Sequence, residues 1–140
     1  MSTSRYRALF ADLIYNEEGE PAKIVVVGGV DHYAIPDEGF LRHAEAEDVD
    51  RQIVALIQER IKSMEDAVTE GLVHMLGEET VFTRPAIRHA IDHMERILEP
   101  GAVDRDEFRT ALWMTKFRAT VNVHGEVVGI HMPGLEAERE

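Results

Sequence analysis

The sequence predicts an α+β fold, in which an antiparallel sheet packs against a long central helix and two shorter helices. Three observations support this class. β-Branched runs between Gly and Pro turns fill the first third of the chain, a long helical repeat follows, and apolar residues alternate near the end. The length of 140 residues, 44% of them hydrophobic, suits one domain. We assign residues 1–134 to this domain and residues 135–140 to a disordered acidic tail.

The first third of the chain is predicted to be an antiparallel meander. The β-branched run at residues 24–27 has strong strand preference, and Gly28-Gly29 offers a tight turn directly after it. Further turn signals, rich in Gly, Pro and acidic residues, occur at residues 16–21 and 36–39. The four predicted strands cover residues 5–15, 23–27, 32–35 and 40–43.

Residues 45–76 are predicted to form one long amphipathic helix. Its apolar positions recur at spacings of 3 and 4, which keeps one seam of the helix apolar over about three heptads. Such a helix would be ~48 Å long, more than a compact chain of this size accommodates. Either the helix breaks near Gly71, or a second copy of the chain buries part of the seam. This apolar seam consists of Val54, Ile57, Ile61, Met64, Val68, Gly71 and Met75.

The length of this helix leads us to expect a homodimer. Four side chains of the apolar seam form the predicted interface, because leaving them in water would forgo roughly 1.5–3 kcal/mol each. The competing arrangement is a monomer in which the two shorter helices fold back over the seam. The predicted interface residues are Ile57, Ile61, Met64 and Val68.

The two shorter helices and a final hairpin complete the predicted fold. The second helix begins at Thr83 and ends before Pro100. The third covers residues 105–115, with Asp104 as its cap and Glu107 completing a capping box. Apolar residues at positions 117, 119, 121 and 123 then alternate with polar ones, which predicts a strand with one buried face. A turn at positions 124 and 125 leads to a last strand at residues 126–132.

Charge and composition limit the partners of the chain. The formal net charge is −12, so the phosphates of nucleic acids and anionic membranes would be repelled. We therefore expect neither a nucleic-acid nor a membrane partner, and no run of 18 apolar residues predicts a transmembrane helix. The absence of cysteine and of an apolar signal segment at the N-terminus favours a cytoplasmic location.

A candidate metal site lies on the second predicted helix. His89 and His93 are four residues apart, so both imidazoles lie on one helical face and could bind one Zn²⁺, with Asp92 beside them. The alternative is a solvated face on which Asp92 pairs with Arg88 and Arg96. This alternative is the better interpretation, because single short motifs are seldom specific.

Two function classes remain open. We expect a non-catalytic soluble interaction protein that self-associates through the long helix and can offer its acidic surface to another protein. The alternative is a small metal-dependent enzyme or metal sensor that uses the surface histidines, with zinc as its cofactor. The first class is favoured because the sequence contains no phosphate-binding glycine loop and no serine nucleophile motif, and its regularity serves packing.

Two segments resemble a family of small uncharacterised bacterial proteins. The first runs from Val27 to His43 and continues to Gln52, and the second is Val121 to Val128. The resemblance extends over residues 5–134. It implies no activity, cofactor or site residue.

Overall fold

The structure, a computed structural model, describes residues 6–133. Its strands are β1 (Ile14–Tyr15), β2 (Lys23–Val27), β3 (Val30–Asp37), β4 (Phe40–Glu45), β5 (Arg118–Val121) and β6 (Val127–His131). Its helices are α1 (Ala46–Lys62), α2 (Glu65–Leu76), α3 (Thr83–Asp92) and α4 (Arg105–Met114), with a 3-10 helix at Met94–Leu98. The predicted α+β class is confirmed. The tail predicted at residues 135–140 lies outside the described residues.

The strands divide between two three-stranded sheets. One sheet has the order β2-β3-β4 and is the predicted meander, with antiparallel pairs throughout. The other has the order β1-β5-β6, with β1 parallel to β5 and β5 antiparallel to β6. The sequence predicted one sheet because the stretch at residues 5–15 reads as a full strand. Only Ile14–Tyr15 pairs in the structure, so the N-terminal segment joins the C-terminal hairpin rather than the meander.

Tight turns set the register of the meander. Both residues of the turn between β2 and β3, Gly28 and Gly29, have positive φ, 61° and 79°. Glu38 and Gly39, between β3 and β4, do the same with φ of 51° and 90°. Two-residue hairpin loops prefer this backbone because its twist matches that of the strands. The third and fourth predicted strands are therefore present and longer than predicted.

The predicted long helix is divided at Ser63 and Met64. The Ser63 hydroxyl donates a hydrogen bond to the Arg60 carbonyl oxygen at 2.7 Å, and Met64 leaves helical geometry with φ −133° and ψ 38°. A serine that binds the backbone of the preceding turn competes with helix continuation. The break therefore lies earlier than Gly71, which is inside α2. The predicted helix end at residue 76 is confirmed, because α2 ends at Leu76 and Gly77 follows it with φ of 79°.

The later elements follow the predicted order. The second predicted helix is α3, which stops at Asp92 and gives way to the 3-10 helix. The third is α4, and its predicted cap is confirmed, since the Asp104 carboxylate accepts the Glu107 N–H at 3.1 Å.

The hydrophobic core lies between α1 and the two sheets. α1 contributes one row of buried residues, and the segment before β1 contributes four more, Ala8, Leu9, Phe10 and Leu13. The buried face of β5 is the predicted one, with Ala119 and Val121 fully buried. In contrast, the described residues of α2 and α3 contribute one buried residue each, Thr69 and Ile91.

Two loops that leave the β1-β5-β6 sheet share the sequence pattern Asn-x-x-Gly-Glu. Asn16 follows β1 and Asn122 follows β5, so the two loops start at the same end of neighbouring parallel strands. In each loop the asparagine Oδ1 accepts two backbone N–H groups at 2.8 to 3.0 Å. Asparagine therefore supplies the acceptor that closes both turns. The four N–H donors belong to Glu18, Glu20, His124 and Glu126.

Candidate functional site

A buried polar cluster surrounds Asp50 of α1. Its Oδ1 accepts the Tyr33 hydroxyl at 2.6 Å, and its Oδ2 accepts the Leu9 N–H at 2.8 Å and the hydroxyl of Tyr6. Asp50 and Tyr33 are fully buried, whereas Tyr6 is half-buried. Three hydrogen bonds thus satisfy a carboxylate inside the core, which is the condition for placing one there.

The same cluster holds the N-terminal strap, which we define as residues 6–13. The strap is not a strand, and its backbone N–H groups bind side chains instead. The Ala8 N–H donates to the Asp31 carboxylate at 2.9 Å, and the Phe10 N–H donates to the Tyr33 hydroxyl oxygen at 3.2 Å. Asp31 is also buried. Two buried carboxylates and one tyrosine therefore replace the sheet partner that the strap lacks.

Burial governs the protonation of this cluster. It raises the pKa of Asp50 from its ordinary 3.8 to about 6, against the opposing effect of the hydrogen bonds from Leu9, Tyr33 and Tyr6. It also raises the pKa of Tyr6 and Tyr33 well above the ordinary range, with a further contribution from the negative charge of Asp50. Both tyrosines therefore keep their protons at neutral pH and act as donors rather than nucleophiles.

An open cleft of about 650 Å³ borders the cluster at Tyr6. The Arg105 guanidinium lies 5.2 Å from the centre of the Tyr6 ring and donates to the carbonyl oxygens of Arg7 and Leu98 at 2.9 and 2.8 Å. Arg51 pairs with Glu47 at 2.6 Å on another wall. Glu47 and Arg51 are thus engaged with each other, and Arg105 is engaged with the backbone. The charged residues that line the cleft are Arg7, Glu47, Arg51, Glu95, Glu99 and Arg105.

The candidate metal residues His89 and His93 do lie side by side. Their ring centres are 4.4 Å apart, with His89 exposed and His93 half-buried. Asp92 is turned to Lys62, 3.6 Å away, and Arg88 pairs with Glu65 at 2.8 Å. The predicted pairing of Arg88 with Asp92 is wrong, because these side chains connect α3 to its neighbouring helices. Among residues 6–133, no group of three His, Asp or Glu side chains is placed to hold a metal ion.

The predicted interface residues lie along α1 and α2. Ile57 belongs to the core, with 8% of its surface exposed, and Ile61 packs half-buried against that core. Met64 and Val68 are also half-buried. The chain therefore covers much of this part of the seam itself. Ile57 therefore has little surface left for a partner chain, and the helix whose length predicted that partner is divided.

A more exposed apolar surface lies further along, where α2 runs into α3. We call it the hairpin patch. Met75, Val81 and Phe82 each expose more than three-quarters of their surface, at 80%, 81% and 76%. Exposed charged pairs connect the two helices, with Arg84 bound to Glu70 at 2.8 Å. The patch continues the apolar seam beyond Val68. Its members are Leu72, Met75, Leu76, Val81 and Phe82.

The Asp50 cluster was not predicted from the sequence. In the sequence, Asp50 is one of several acidic residues near the start of the predicted long helix, where the helix dipole favours negative charge. One signal was present nevertheless. Asp50, Val54 and Ile57 recur at i, i+4 and i+7, so the position lies on the buried face of α1. A carboxylate on a buried face requires donors, and the tyrosines are such donors.

Comparison with family models, with curated proteins and with solved structures found no match. The resemblance to small bacterial proteins therefore stays a prediction. Among the described residues, none of the helices is long and apolar enough to cross a membrane.

Proposed function

We propose that this chain is a non-catalytic interaction protein that associates with a second copy of itself through the hairpin patch. The observation that carries the proposal is the group of exposed apolar side chains where α2 meets α3. Contiguous apolar surface of this kind is typical of interaction sites, whereas single exposed apolar residues are ordinary. The proposed interface is thus continuous with the predicted one at Met64 and Val68. The absence of cysteine supports a cytoplasmic location.

The Asp50 cluster supports a binding role over a catalytic one. Its tyrosine hydroxyls stay protonated, and its carboxylate is occupied by three donors. A catalytic base needs a free lone pair directed at a substrate. The acidic surface remains available to a partner protein of opposite charge, which we propose as a second kind of interaction.

Light scattering over a concentration series tests self-association directly. The monomer has a mass of 15.8 kDa, and we expect twice this mass as concentration rises. Phe82→Glu places a charge in the hairpin patch and should return the mass to that of the monomer. Phe40→Glu is the matched control, because Phe40 is also exposed, at 72%, and lies at the start of β4, far from the hairpin patch along the chain. This variant should still dimerise.

Two outcomes would overturn the proposed interface. A mass of 15.8 kDa that does not change with concentration would exclude the dimer. Equal loss of association in the Phe82→Glu and Phe40→Glu variants would mean that added negative charge, rather than the hairpin patch, controls it. Because both side chains are exposed, neither change should prevent folding.

A second candidate function uses the paired histidines. The 4.4 Å separation of the His89 and His93 rings favours it, because neighbouring imidazoles can share one Zn²⁺. In this proposal the chain is a metal sensor or a small zinc-dependent enzyme. Metal analysis of protein purified without a histidine tag would detect stoichiometric zinc if this candidate is correct.

The double variant His89→Ala, His93→Ala separates a functional site from weak surface binding. Loss of stoichiometric zinc together with thermal stability would support the metal-dependent candidate. A metal-free wild-type protein, with a melting temperature that the double change leaves unaltered, would reject it. The variant His74→Ala, His124→Ala is the control, since both residues are exposed and lie elsewhere.

A further inference from the structure

The protonation state of Asp50 determines which hydrogen bonds its carboxyl group can make. As a carboxylate it accepts three donors, the hydroxyls of Tyr6 and Tyr33 and the N–H of Leu9. As a neutral acid it carries a proton of its own and needs an acceptor for it. At least one of its three partners must then change from donor to acceptor.

Only one of the three partners is free to make that change. The Leu9 N–H cannot accept a hydrogen bond at all. The Tyr33 oxygen already accepts the Phe10 N–H at 3.2 Å, and Tyr33 is fully buried, so its hydroxyl proton could reach no water if it turned away. Tyr6 is half-buried and lines the open cleft, so its hydroxyl proton can turn to solvent even though Arg105 also interacts with its oxygen.

We propose that protonation of Asp50 reverses the hydrogen bond to Tyr6, so that Asp50 donates, Tyr6 accepts, and the Tyr6 O–H turns into the cleft. The proton comes from solvent and binds Asp50 Oδ2, while Tyr6 keeps its own proton. The bonds from Leu9 and Tyr33 persist. The cleft wall therefore offers a hydroxyl donor only when Asp50 is neutral.

The charged groups around Asp50 determine where this change falls. Tyr6 faces it from the strap, Tyr33 from β3 and Arg105 from α4, and burial raises the pKa of Asp50 to about 6 despite the opposing charge of Arg105. Asp31, near the start of β3, accepts the Ala8 N–H. On α1 itself, Glu47 and Arg51 at the cleft neutralise each other. The reversal should therefore occur near pH 6, with Arg105 still placed over the Tyr6 ring.

Carbon-13 NMR of the unaltered protein tests the proposal, with pH varied from 4.5 to 8. The Asp50 Cγ and the Tyr6 Cζ should titrate together with one midpoint, near pH 6. The Tyr33 Cζ should move much less, because its hydroxyl keeps its direction. Both tyrosines bind the same carboxylate, so a simple change of charge would move both signals. Equal movement of Tyr6 and Tyr33, or a Tyr6 signal that does not titrate, would overturn the proposal.

Two variants add a control to this titration. Asp50→Asn should abolish the Tyr6 titration, whereas Asp106→Asn, a change at an exposed aspartate on α4, should leave it intact. A Tyr6 titration that survives Asp50→Asn in folded protein would contradict the assignment. The titration of the wild-type protein needs no substitution, so it tests the proposal even if the Asp50→Asn variant does not fold.

Discussion

The N-terminal strap and the α2–α3 hairpin show that regular secondary structure and burial of side chains do not go together in this protein. The strap contains neither helix nor strand, since β1 begins only after it, yet Leu9 and Phe10 are fully buried. The hairpin consists of two regular helices, yet it buries only Thr69 and Ile91. Side-chain acceptors hold the irregular backbone of the strap, whereas exposed ion pairs connect the regular helices. We infer that the stability of the fold resides in the irregular segment.

Matched phenylalanine substitutions in the strap and in the hairpin should give the largest difference in the free energy of unfolding. Phe10 is fully buried and packs edge-on against Phe108 and at a tilt against Phe117, with 6.0 and 5.8 Å between ring centres. Phe10→Ala should lower the free energy of unfolding by about 3–5 kcal/mol, through lost burial and the cavity left behind. Phe82→Ala should change it by less than about 0.5 kcal/mol, because that side chain is already in water.

Urea denaturation at low protein concentration measures both variants without a contribution from association. Similar losses in the two variants would contradict the division between strap and hairpin. A substantial loss for Phe82→Ala alone would reverse it.

The pH dependence of stability should be the next largest effect, and it concerns the strap side only. The folded-state pKa of Asp50, about 6, lies above its ordinary value of 3.8. The stability that Asp50 contributes is therefore complete below that ordinary value and is lost as pH rises through about 6. The free energy of unfolding of the wild type, relative to Asp50→Asn, should fall by about 2 kcal/mol from pH 4.5 to 7.5.

Urea midpoints of the two proteins at several pH values provide this comparison. A difference that stays constant with pH, or that increases as pH rises, would show that Asp50 is not the buried titrating group. Using the difference between the proteins removes the contribution of the other acidic residues, which both share.

The smallest effect is expected for the ion pairs of the hairpin. Arg84 binds Glu70 and Glu79 at 2.8 and 2.6 Å, and these carboxylates hold the pKa of its guanidinium above the ordinary value. All three groups are well exposed, and such pairs seldom contribute measurable stability. Arg84→Ala should leave the urea midpoint unchanged within error, and a clear shift would show that the hairpin is fastened by these pairs.

The sequence predicted the regular parts of this protein much better than the irregular ones. The predicted helix end at Leu76 and the predicted cap at Asp104 are both confirmed, because Gly77 and Asp104 act there through local backbone geometry. The strap depends on contacts with residues far along the chain, such as the hydrogen bond from the Leu9 N–H to Asp50, and local sequence patterns do not indicate such contacts.

 The break at Ser63 was not predicted for a similar reason. Gly71 has the lower helix propensity, and only the hydrogen bond of Ser63 in the structure shows that the helix is interrupted there instead.

The candidate site was predicted less well than the fold. The spacing of His89 and His93 correctly indicated neighbouring rings, because four residues make about one helical turn. The sequence could not indicate that Asp92 turns to Lys62, since that contact depends on how α1 and α3 pack. Asp50 required the tertiary structure, because its tyrosine partners are 17 and 44 residues away along the chain.

Native-state hydrogen exchange of the unaltered protein tests the central claim most directly. The amides of Leu9 and Phe10 bind Asp50 and Tyr33, so we expect them to exchange only through global unfolding, at the same free energy as the amides of β3. The amides of α2 should exchange through smaller local openings, although they belong to a regular helix. If instead the amides of Leu9 and Phe10 exchange as fast as those of α2, or faster, the strap does not carry the stability of the fold and the account is wrong.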